Sequence, residues 1–74
     1  MEFSKVNITI LKEDSRKEQN FSFNIHMDLA RKIVDLFNKK DNEGLQEVLN
    51  YFEDVEGNVH QFKLDEIMGF ECKL

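Results

Sequence analysis

Residues 28–40, DLARKIVDLFNKK, constrain this chain more than any other stretch. Leu29, Ala30, Ile33, Val34 and Phe37 recur at helical spacing with Leu36 beside them, while Arg31, Lys32, Asp35, Asn38 and Lys39 fall on the opposite side. That pattern draws one apolar stripe along a helix. Asp28 stands where an N-cap carboxylate would accept from the first free amides and meet the positive end of the dipole. Lys39 and Lys40 suit the negative end, and Asp41-Asn42-Glu43-Gly44 reads as a stop. A helix of about 12 residues is marginal in isolation, so its stripe needs a partner surface. The polar side is mixed in sign and carries no Trp, which favours a core helix over one lying on a membrane.

The flanking segments can supply that surface. Residues 3–11, FSKVNITIL, alternate Val6, Ile8 and Ile10 with Lys5, Asn7 and Thr9. Residues 20–26, NFSFNIH, alternate Phe21, Phe23 and Ile25 with Ser22, Asn24 and His26. Both are half-buried strands by their period of two, and the polar stretch 12–19 between them makes an antiparallel hairpin with a loose loop.

Residues 45–53 are ambiguous. Leu45, Val48, Leu49 and Phe52 have helical spacing, yet the aromatic flanks around Gly57-Asn58 favour a hairpin. The reading adopted is strand at 47–54, turn at 55–58 and strand at 59–64, with 45–53 as a second helix the alternative. Leu64-Asp65-Glu66 is a polar break. Residues 67–74 form a last short strand with Met68, Phe70 and Cys72 on one face, and Gly69 marks a bulge or a close backbone approach. The expected fold is α+β: one domain spanning 1–74, an antiparallel sheet of four to five strands in the order ββαβββ, and one main helix on one face. The other face of the sheet is expected to be partly apolar, through Leu49, Tyr51 and Val59, and to meet a partner or a second copy.

Charge is unevenly placed. Residues 1–40 hold eight Lys/Arg and six Asp/Glu, and residues 41–74 hold two and nine, a balance of +2 and −7 that recovers the net −5. A direct nucleic-acid role needs a basic stripe. The basic grouping of Lys12, Arg16, Lys17, Arg31, Lys32, Lys39 and Lys40 is interleaved with acids, so nucleic acid is not the expected partner. No apolar run reaches the ~20 residues of a membrane span. The start, MEFSKVNITI, lacks a charged region followed by an apolar signal core. The single cysteine, Cys72, excludes an internal disulfide framework, so a cytoplasmic setting is expected and the sequons at Asn7 and Asn20 are chance matches.

Site chemistry is sparse. His26, His60 and Cys72 lack metal-ligand spacing. Aligning Gly57 with the central glycine of a calcium loop puts Phe52 and Lys63 at ligand positions, which fails. Cys72 with either histidine and Asp54 shows no spacing that would support a nucleophile. Asp65 and Glu66 point to different faces if extended, and Gly44, Gly57 and Gly69 are isolated rather than a phosphate cradle. No enzyme, no cofactor and no metal are therefore expected. Two function classes remain. One is a small acidic protein-binding module, a regulator or inhibitor of bacterial or phage type by its Lys/Asn/Glu/Ile-rich usage, presenting Glu47, Glu53, Asp54, Glu56, Asp65 and Glu66 to a basic partner. The alternative is a small-ligand-binding homodimer with Arg16, Lys17, Tyr51, His60 and Phe62 at the site.

Overall fold

The alternation of the first 26 residues builds β1 (Phe3–Leu11) and β2 (Glu18–His26), paired antiparallel with Val6 opposite Phe23 and Ile8 opposite Phe21. The structure is a computed structural model that describes residues 2–14 and 16–73. Val6, Ile8, Ile10 and Ile25 are buried on the shared face. Each fully buried aliphatic side chain there stabilises the fold by roughly 1.5–3 kcal/mol. The opposite face carries Lys5, Asn7, Thr9, Asn20, Ser22 and Asn24, with Thr9 donating to Asn20 Oδ1 at 2.7 Å.

The chain continues through α1 (Met27–Asn38), α2 (Asn42–Asn50), β3 (Phe52–Glu53), β4 (Val59–His60), a 3-10 turn (Leu64–Glu66) and β5 (Ile67–Cys72). β5 pairs antiparallel with the free side of β1, so the main sheet runs β2-β1-β5. β3 and β4 form a separate two-stranded sheet. Five strands and a main helix in an α+β fold agree with the sequence reading, but the strands divide between two sheets. Thr9 faces Gly69 while Ile10 faces Ile67, which leaves Met68 as the extra residue of a bulge beside the glycine that signalled it. The expected final strand 67–74 ends at Cys72, and Leu74 lies outside the described residues.

α1 buries Ala30 and Ile33 against the sheet. Its N-cap position is His26, without a side-chain capping bond, and Asp28 sits in the first turn instead of capping. At the other end Asp41 N–H donates to the Leu36 carbonyl and Lys40 N–H to that of Phe37. This is a Schellman closure with Lys40 in the left-handed region at φ 56°.

The expected strand at 47–54 is corrected: helix α2 runs to Asn50, as the alternative reading had it, and only Phe52–Glu53 of that span is strand. Asp41, read as part of a stop, is its N-cap and accepts from Gly44 N–H at 3.0 Å. A side chain at Gly44 would place its Cβ 2.7 Å from Asp41 Oδ2 and 2.8 Å from Leu36 Cδ2, so a substitution there would displace the capping carboxylate and the Leu36 side chain. Leu45, Val48 and Leu49 are buried as helical spacing requires. The expected strand at 59–64 shortens to Val59–His60 because α2 takes over the backbone groups beyond it. Phe62 N–H donates to the Leu49 carbonyl at 2.9 Å, and Gln46 bridges the Phe62 carbonyl and the Leu64 N–H. The expected apolar outer sheet face is also corrected. Leu49 lies in the core, Tyr51 ends α2 and Val59 belongs to the small hairpin.

Candidate functional site

The densest polar chemistry lies in the β3–β4 hairpin. Gly57 adopts φ 86°, a backbone conformation that closes the turn at the position where glycine is favoured. Asp54 precedes it and is buried. Its Oδ1 accepts from Glu56 N–H at 2.9 Å and Asn58 N–H at 3.0 Å, and its Oδ2 accepts from His60 Nε2–H at 2.9 Å. The carboxyl is held below its ordinary value, first by the His60 hydrogen bond and then by the Asn58 and Glu56 amides, while desolvation opposes them.

His60 is fixed on its other side by stacking on Phe23, with ring centroids 4.3 Å apart and planes 3° from parallel. Phe23 meets Phe52 edge-on at 5.3 Å, and Phe62 meets Phe21 edge-on at 5.4 Å. These aromatic pairs add to area burial at roughly 0.5–1.5 kcal/mol each. Val55 N–H donates to the Asn24 carbonyl at 2.9 Å. The hairpin is thereby fastened to the outer edge of β2.

Around this hub lies an open groove of about 940 Å³ that includes Phe21, His60, Phe62, Lys12, Lys63 and Glu66. Of the residues expected to bind a ligand, it brings together His60 and Phe62 only. Tyr51 is exposed and borders a different hollow with Lys32 and Glu47. Arg16 and Lys17 are exposed in the β1–β2 connection, and it is Lys12, Glu13 and Asp14 of that connection that line the groove. Phe21 and Lys12 were not among the expected site residues. Phe21 showed only the strand alternation of a core position.

The expected acidic set is spread rather than gathered. Glu56 borders the small hollow beside Asp54, Asp65 an apolar hollow with Phe37, Leu45 and Leu64, Glu66 the large groove, and Glu47 the hollow by Tyr51. Glu53 is exposed on β3. Asp54 is the exception, because its carboxylate is spent on the turn and is not presented to a partner. Among the described residues the ion pairs are Lys39–Asp35 at 3.0 Å and His60–Asp54.

The three soft ligands sit apart in function. His26 lies against the Phe3 ring, His60 on Asp54, and Cys72 Sγ 3.2 Å from Ser4 Oγ. Among the described residues no group of three His, Cys, Asp or Glu side chains is placed to hold a metal ion. No helix there is long and apolar enough to cross a membrane. Comparison of the chain with protein families, curated proteins and solved structures found no match.

Proposed function

We propose that this chain is a non-catalytic protein-binding module, a regulator or inhibitor of bacterial or phage type, that offers carboxylates to a basic partner. One observation carries the reading. Among the described residues Glu43, Glu47, Glu53, Glu56, Asp65 and Glu71 are exposed, and none is paired with a lysine or arginine. Unpaired carboxylates at the surface attract a basic partner over a Debye length of about 8 Å at physiological ionic strength and raise its on-rate. Asp54 supports the surface from within by shaping the turn that holds Glu53 and Glu56.

A pull-down from cell extract at low and high salt tests this directly. The expected result is a basic protein retained at low salt, released by salt, and lost with the double variant Glu53→Lys/Glu56→Lys. Retention indifferent to both salt and charge reversal overturns the reading. The second reading, a ligand-binding homodimer, is favoured by the groove that joins His60, Phe62 and Phe21. It requires a ligand-dependent rise in Tm across a metabolite panel, and a flat panel removes it.

A further inference from the structure

Glu47 was expected on a partner-binding surface and Tyr51 at a ligand site, and the structure sets both on one hollow. The helical period explains why. Glu47 and Tyr51 are four residues apart at the end of α2, and Leu29, Lys32 and Leu36 recur along one side of α1. The hollow, about 510 Å³, is the crease between the two helices. Gly44 adds no side chain to it, and a Cβ there would already meet Leu36 and Asp41.

Three kinds of surface meet in the crease. Its walls are aliphatic, with Leu29 and Leu36 half-buried on α1 and Val48 buried on α2. Tyr51 stands at its border, 66% exposed. Tyrosine is among the residues that carry most binding energy at protein interfaces. The third surface is charge. Among the described residues Glu47 is exposed and paired with no lysine or arginine, while Asp41 gives one oxygen to the Gly44 amide and keeps the other. Lys32 is the cation of the crease and is paired with neither acid. Two carboxylates against one ammonium leave the crease negative.

We propose that the crease receives an arginine side chain of a basic partner. The inference rests on the acidic-surface reading above and names where, and by which residue, that partner is held. Each surface selects a part of the side chain. Aliphatic walls suit the methylene stem, which long cationic side chains bury while the charged head stays at the surface. The Tyr51 ring offers its face to a cation within about 6 Å. Glu47 offers a carboxylate to the parallel N–H groups of the guanidinium. Lysine gains less from the same place, because its ammonium is compact, strongly hydrated and cannot stack as a plane. A neutral apolar ligand would leave Glu47 and Asp41 without a partner, and an anion would meet them with like charge.

The test is fluorescence anisotropy at low salt with labelled oligoarginine and oligolysine peptides of equal length, on the unsubstituted chain, on Tyr51→Leu and on Glu47→Gln. Both side chains are exposed, so neither substitution touches the core. Tyr51→Leu also changes no charge. The unsubstituted chain is expected to bind oligoarginine more tightly than oligolysine. Tyr51→Leu is expected to lose about two- to fivefold in oligoarginine affinity, and with it the preference for arginine. Glu47→Gln is expected to weaken both peptides. An oligoarginine affinity unmoved by Tyr51→Leu overturns the inference, and so does equal affinity of the unsubstituted chain for the two peptides. In either case, loss of binding by Glu53→Lys/Glu56→Lys leaves the acidic-surface reading standing without the crease. Binding of neither peptide overturns both.

Discussion

β2 and β5 flank the same central strand and end in opposite ways. The edge of β2 faces a loop that donates to it and is lined by polar residues such as Asn20, Ser22 and Asn24. Among the described residues β5 has no strand on its outer side, and it bears Met68 and Phe70. The cover over β2 is held by one buried carboxylate and a stack of aromatic rings. A small chain can thus fasten part of one sheet edge with its own backbone. The contrast lies in which groups are satisfied internally, because both edges belong to strands with the same kind of alternation.

The largest expected effect removes the floor under the covered edge. Phe52 is fully buried and meets both Phe23 and Phe62. Phe52→Ala is expected to cost ~3–5 kcal/mol. For a domain of this size that is a fall in Tm of at least about 12 °C by calorimetry. A fall of a degree or two would show that the hairpin is not seated as described.

Asp54→Asn is a smaller disturbance. It keeps the shape and removes the charge that His60, Glu56 and Asn58 address. The expected outcome is faster amide exchange at Glu56 and Asn58 and a lower Tm, with the β1–β5 ladder unchanged. Acid should imitate it. The folded carboxyl titrates below its ordinary value of 3.8. Its stabilisation is therefore complete above that value and is lost as pH falls through the lower folded value. Circular dichroism melts from pH 5 to 2 should show the stability of the unsubstituted chain falling toward that of the variant. Parallel curves would remove Asp54 from the account.

The smallest effect touches neither edge. Lys40 adopts a left-handed conformation at the end of α1, and Lys40→Gly is expected to add roughly 0.5–1 kcal/mol. Chemical denaturation checks it. A loss of stability would mean that Lys40 does more than turn the chain.

The first half of this fold was legible because each element there obeys one period over many residues. Val6, Ile8 and Ile10 alternate in β1, and Ala30 and Ile33 keep one helical side in α1. The second half was harder, since Leu45, Val48, Leu49 and Phe52 satisfy two patterns in a short span. Asp41 decided the matter, as a cap rather than a stop, and that depends on Lys40 turning left-handed first. Tertiary bonding then shortened β4, because Gln46 reaches across to residues 62 and 64. Of the candidate site, His60 and Phe62 were visible as residue types. The burial of Asp54 was not, since an acid in a turn looks the same in sequence whether it faces water or its own amides.

Amide exchange at Val55 and Phe70, followed across protein concentration, tests the difference between the two edges most directly. Val55 N–H is bonded to Asn24 within the chain, so its protection should be the same at every concentration. Phe70 N–H points outward from β5, so it should exchange quickly in dilute solution. A fast Val55, or a Phe70 already protected in the dilute monomer, would contradict the account.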